Sequence, residues 1–92
     1  LVPVRDASGA FLGAQSIDGD GRKSFPRGGR VQGGHHLLGD LATAGPLVVA
    51  EGYATAATLH EATGLPVAVA FNAGNLEAVA RAFRAVDAAR PI

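Results

Sequence analysis

The chain has 92 residues, eight basic and eight acidic side chains, 48% hydrophobic residues and no cysteine. That length builds one small domain or part of one. The missing cysteine excludes disulfide staples and thiolate metal sites and fits a reducing compartment, so a cytoplasmic location is expected. No run approaches the roughly 20 apolar residues that span a bilayer and no signal peptide is visible, so a soluble protein with no membrane partner is expected.

The chain opens on strand-like Val2-Pro3-Val4-Arg5, and Asp6-Ala7-Ser8-Gly9 is a turn tetrad leading into a second strand at residues 11–17. Asp18-Gly19-Asp20-Gly21 is a hairpin signal of the Asp-Gly kind, which predicts a third short antiparallel strand near Phe25. Net charge is zero, but Arg22, Lys23, Arg27 and Arg30 fall in one glycine-rich, acid-free stretch with His35 and His36. From charge alone that stretch is either a phosphate-tracking surface or a solvated hairpin. Glycines 28, 29, 33, 34 and 39 predict a loop, after which Leu37-Leu38 returns the chain to the core.

The texture changes near residue 47, dividing the chain into a β and turn region, 1–46, and an alanine-rich region, 47–92, that holds three of the thirteen glycines. Leu47-Val48-Val49-Ala50 predicts a strand, residues 54–63 a helix closed by Gly64, and residues 67–71 a second strand. Asn72-Ala73-Gly74 is a loop, and Asn75 is expected to cap a second helix whose buried stripe is Leu76, Val79, Ala80, Phe83 and Val86. Pro91-Ile92 is expected to begin a third strand, with more chain beyond it. Apolar strands alternating with helices predict an α/β fold with a partial parallel sheet, preceded by a small antiparallel β region.

Glu51 stands where the strand at 47–50 meets the next helix, the place at which open α/β sheets bind ligands. It is a metal ligand, a general acid or base, or a solvated acid stabilised by the helix dipole. Gly52 beside it leaves room for a phosphate or a metal. Asn72 either contacts a phosphate or tolerates an unusual backbone angle. Adjacent histidines on a strand face opposite sides, so His35 and His36 are poor joint ligands, and His60 is expected to be solvent-facing or hydrogen-bonded. Asp18-Gly19-Asp20 is expected to be a turn, since it lacks the rest of a calcium-loop pattern.

The run Leu47-Val48-Val49-Ala50-Glu51-Gly52-Tyr53, followed by a helix, a strand and a loop containing Gly74, resembles the first half of a Toprim domain. Glu51-Gly52-Tyr53 is similar to the Glu-Gly-Tyr of DNA primases. The upstream Val4-Arg5-Asp6, Gly21-Arg22-Lys23-Ser24-Phe25 and Gly33-Gly34-His35-His36-Leu37-Leu38-Gly39 resemble the region before Toprim in plasmid and phage-type primases. The resemblance implies a Toprim-like, Rossmann-like sheet, with Glu51 as catalytic residue and metal ligand and Gly74 in the loop after the second strand. It implies Mg²⁺ or Mn²⁺ as cofactor, and a single-stranded DNA template, ribonucleoside triphosphates and a replicative helicase as partners. Arg22, Lys23, Arg27, Arg30, Asn72 and Gly74 would contact nucleic acid or nucleotide. The implied activity is Mg-dependent RNA primer synthesis for replication or conjugative transfer. The Asp-x-Asp that completes the family's metal site has no counterpart in this sequence, so the 92-residue chain by itself is expected to be inactive. Other Toprim chemistry, in a topoisomerase or nuclease, and a non-catalytic nucleic-acid-binding module are the alternatives.

Overall fold

A computed structural model describes residues 2–17, 19–20, 23–24 and 33–92. Three strands, β1 (Val2–Arg5), β2 (Phe11–Ile17) and β3 (Lys23–Ser24), form an antiparallel sheet in chain order. The β1–β2 turn is built by Asp6, whose carboxylate accepts from the Ser8 hydroxyl at 2.6 Å and from the amides of Ser8 and Ala10 at 2.9 and 3.0 Å. Gly9 supplies the positive φ of 93° that this closure requires.

A second sheet has the order β4 (His36–Leu38), β6 (Val67–Val69), β5 (Val48–Ala50). β5 and β6 are parallel, as the alternating pattern predicts, and β4 is antiparallel to β6, so the sheet is mixed rather than all parallel. Leu37-Leu38 thus returns to the core as an edge strand. The two helices, α1 (Tyr53–Thr63) and α2 (Leu76–Val86), cover opposite faces. Leu47, Ala68 and Ala70 pack with Val79 and Phe83 of α2, and Ala50, Val67 and Val69 pack with Ala56 of α1. Central β6 is buried on both faces, which is why its sequence is apolar without alternation.

α1 ends at Gly64, in the left-handed region at φ 71°, with its amide on the His60 carbonyl at 2.8 Å. Two expectations for α2 need correction. Val86 is 65% exposed rather than part of the buried stripe. An 11-residue helix is about 16 Å long whereas three-residue strands span about 10 Å, so the last turn overhangs the sheet. Asn75 does not cap α2 with its side chain; a 3₁₀ turn, Ala73–Asn75, precedes the helix, and Asn72 caps that turn. Pro91 and Ile92 form no strand, although the Pro91 carbonyl accepts from the Leu47 amide at 2.9 Å.

Among the described residues the two sheets meet at one antiparallel pair, Arg5 and His35, which exchange both backbone hydrogen bonds at 2.8 Å. His36 adds a bond from its Nδ1 to the Pro3 carbonyl at 3.1 Å.

Candidate active site at the carboxyl end of the sheet

The parallel register, Val48 with Val67 and Ala50 with Val69, brings the carboxyl ends of β5 and β6 together. The ladder continues past the strands: the Ala70 amide donates to the Ala50 carbonyl and the Phe71 amide to the Glu51 carbonyl, each at 2.8 Å. The Glu51 backbone is therefore fixed by main-chain pairing while its side chain is exposed. Gly52 is the N-cap of α1 with extended backbone, φ −108° and ψ 153°, and has no side-chain cap bond. The Lys23 ammonium lies 3.8 Å from where a Cβ on Gly52 would stand. A carboxylate, the open start of a helix and a cation thus share one edge.

The loop after β6 completes that edge. Phe71 has φ 77°, a region that bulky side chains rarely enter, and its amide holds the Glu51 carbonyl. The unusual backbone angle, one of the two readings of Asn72, is therefore at its neighbour. Asn72 itself is extended at φ −151°, and its Oδ1 accepts from the Asn75 amide at 2.9 Å. Gly74 lies within the 3₁₀ turn, and a Cβ there would stand 3.4 Å from Asn72 Oδ1, close to ordinary contact.

Antiparallel pairing of His36 with Val69 brings the start of β4 to the same end of the sheet. His36 and His35 face opposite sides, as expected: the His36 ring lies 5.9 Å from the Tyr53 ring on the α1 side, whereas His35 meets Phe83 of α2 edge-on at 4.6 Å. Burial, and then the neighbouring His36, push the His35 pKa below the usual 6.5, against a smaller upward pull from Asp6. His60 is hydrogen-bonded, its Nδ1 on the Leu65 carbonyl at 2.8 Å. A cleft of about 380 Å³ opens beside the Arg5–His35 pair, lined among others by Pro3, Ser8, Leu37, Leu41 and Phe83. Glu51 does not line it, so the carboxylate's chemistry belongs to the exposed edge.

Glu51, Lys23, Asn72 and Gly74 are thus placed on the described structure, whereas Arg22, Arg27 and Arg30 lie outside the described residues, as do Asp18 and Phe25. Among the described residues, no group of three or more His, Asp or Glu can hold a metal ion. Glu51 therefore offers a single carboxylate, which does not by itself fit a divalent cation's demand for several oxygen ligands.

One feature of this edge escapes sequence reasoning. Asn75 is 3% exposed, and its amide accepts from the Gly33 amide at 2.7 Å while donating to the carbonyls of Gly34 and Ala70 at 2.9 and 2.8 Å. Its partners lie up to 42 residues away, and the signal that was available, an Asn beside Gly74, reads equally as a helix cap.

The chain is similar to two Escherichia coli proteins named DNA primase TraC, at 44% and 43% identity over 94 aligned positions. Each alignment takes in 99% of this chain but only 9% and 6% of the relative's length. No protein-family model and no solved structure matches the chain.

Proposed function

We propose that this chain is the catalytic-edge segment of a plasmid-type DNA primase with a Toprim-like fold. The observation that carries the reading is Glu51 at the carboxyl end of the parallel β5–β6 pair, backbone-locked to Phe71, in a chain that resembles named primases from end to end. In such a protein the exposed carboxylate takes part in nucleotidyl transfer as metal ligand or as the group that manages the primer hydroxyl proton. Lys23 and the free amides at the start of α1 favour a phosphate beside Gly52. Asn72 and Gly74 form the opposite lip. Arg22, Arg27 and Arg30, near Lys23 in the sequence, are expected to add phosphate contacts to single-stranded DNA, with affinity that falls as salt rises. Mg²⁺ or Mn²⁺ would neutralise triphosphate charge and needs carboxylates beyond Glu51. A replicative helicase is the expected partner of the whole protein, and primers for plasmid replication or conjugative transfer are its expected product.

The test is Glu51→Gln in the full-length protein. The expected outcome is a loss of primer synthesis of about 100-fold or more with single-stranded DNA binding retained. Wild-type synthesis by that variant would sink the catalytic reading and leave a nucleic-acid-binding module. The 92-residue chain alone is expected to make no primers.

A further inference from the structure

We infer that Asn75 is a positioning residue that staples the Gly33-Gly34 backbone to the lip of the Glu51 edge. The inference rests on the primase reading for its functional half and on geometry alone for its structural half. Three backbone groups from two distant segments converge on one buried amide: Gly33 N–H, Gly34 C=O and Ala70 C=O. The orientation of the amide is unambiguous, because an oxygen must face the Gly33 donor and a nitrogen the two carbonyls. The Ala70 carbonyl immediately precedes Phe71, whose amide holds the Glu51 carbonyl, and the Asn75 amide is held by Asn72. One side chain therefore sets where the Asn72–Gly74 lip stands relative to Glu51 and brings the Gly33-Gly34 segment alongside. Gly33 takes φ 76° at this junction, a conformation that suits glycine and fixes how the segment meets the amide.

An ordinary core residue would lose stability on truncation without affecting this edge selectively. Val79, fully buried in α2 and outside the edge, provides that comparison. The full-length protein is examined by amide hydrogen exchange and by primer synthesis, for Asn75→Ala against Val79→Ala, at a temperature where both variants are folded. In the unmodified protein the Gly33 amide is expected to exchange as slowly as the β6 amides; fast exchange there overturns the staple without any variant. Asn75→Ala is expected to speed Gly33 exchange at least about tenfold more than Val79→Ala does. It is also expected to lower kcat about tenfold with KM for nucleotide little changed, the pattern of misplaced rather than unbound groups. Equal Gly33 exchange in the two variants overturns the staple whatever the activity. Selective exchange with unchanged kcat, in a protein that makes primers, overturns the positioning role. A wild-type protein that makes no primers fails the primase reading instead, and that is measured before any variant is made.

Discussion

Gly52 separates what the fold needs from what the chemistry needs, because its backbone would accept a side chain at little cost. At φ −108° and ψ 153° it is extended, so Gly52→Ala introduces no backbone strain. Among the described residues the added methyl meets nothing closer than Lys23 Nζ at 3.8 Å, an ordinary contact. The remaining cost is that alanine caps a helix less well than glycine, about 1 kcal/mol. For a chain of this size that lowers Tm by roughly 4–8 °C. If a phosphate must approach the start of α1 between Glu51 and Lys23, the same methyl stands in its path. Full-length Gly52→Ala is then expected to lose at least tenfold in kcat/KM for primer synthesis, about 1.4 kcal/mol of transition-state stabilisation. The assays are a circular-dichroism melt of the 92-residue chain and primer extension by the full-length protein. Wild-type kcat/KM would show that no ligand passes Gly52, and a stability loss beyond about 3 kcal/mol would refute the steric reading.

Other positions test the packing and the protonation chemistry. Gly39 has φ 89°, and a Cβ there would lie 2.7 Å from Cε1 of the tethered His60 ring, so Gly39→Ala is expected to cost about 2–3 kcal/mol by chemical denaturation. Gly9→Ala, with a similar φ of 93° but no described residue within 4 Å, is expected to cost only about 1 kcal/mol, and equal losses would refute the ring contact. Because the folded-state pKa of His35 lies below the usual 6.5, the unfolded chain takes up the proton first. The contribution of His35 is therefore complete above pH 6.5 and falls as pH drops below it. Subtracting the stability profile of His35→Gln from that of wild type should isolate a decline in that window, and a flat difference would refute it. The Ser8 hydroxyl bond, followed by the Ala10 amide, holds the Asp6 carboxyl below 3.8, so its loss comes only in stronger acid and does not overlap.

Much of the downstream half was legible in the sequence because its signals are local. The apolar runs, the Gly64 cap and the period of Leu76, Val79, Ala80 and Phe83 each act within a few residues. The junction at Glu51 was legible for the same reason. The antiparallel turn at Asp6 was equally visible, since its carboxylate bonds residues two to four positions on. What was not legible depends on partners distant in sequence. β4 joins the sheet by pairing with β6 roughly thirty residues later, and Asn75 reads as a cap until Gly33 and Gly34 arrive beside it. The overhang of Val86 follows from strand length, which the helix's own periodicity does not encode. The positive φ of Phe71 has no local signature, because it is imposed by the ladder to Glu51 and the turn that Asn72 begins.

The single backbone pair between Arg5 and His35 has a consequence for how the molecule comes apart. Each sheet keeps its own ladder, and among the described residues that pair, the His36–Pro3 bond, the approach of Lys23 to Gly52 and neighbouring packing bind one to the other. Opening the seam breaks few hydrogen bonds, whereas opening either sheet breaks an entire ladder. The hairpin region and the helix-covered sheet are therefore expected to open as two units joined by a thin suture. The His35 ring packs on Phe83 of α2 beside that suture, so mild acid is expected to loosen the seam and the adjoining α2 packing together.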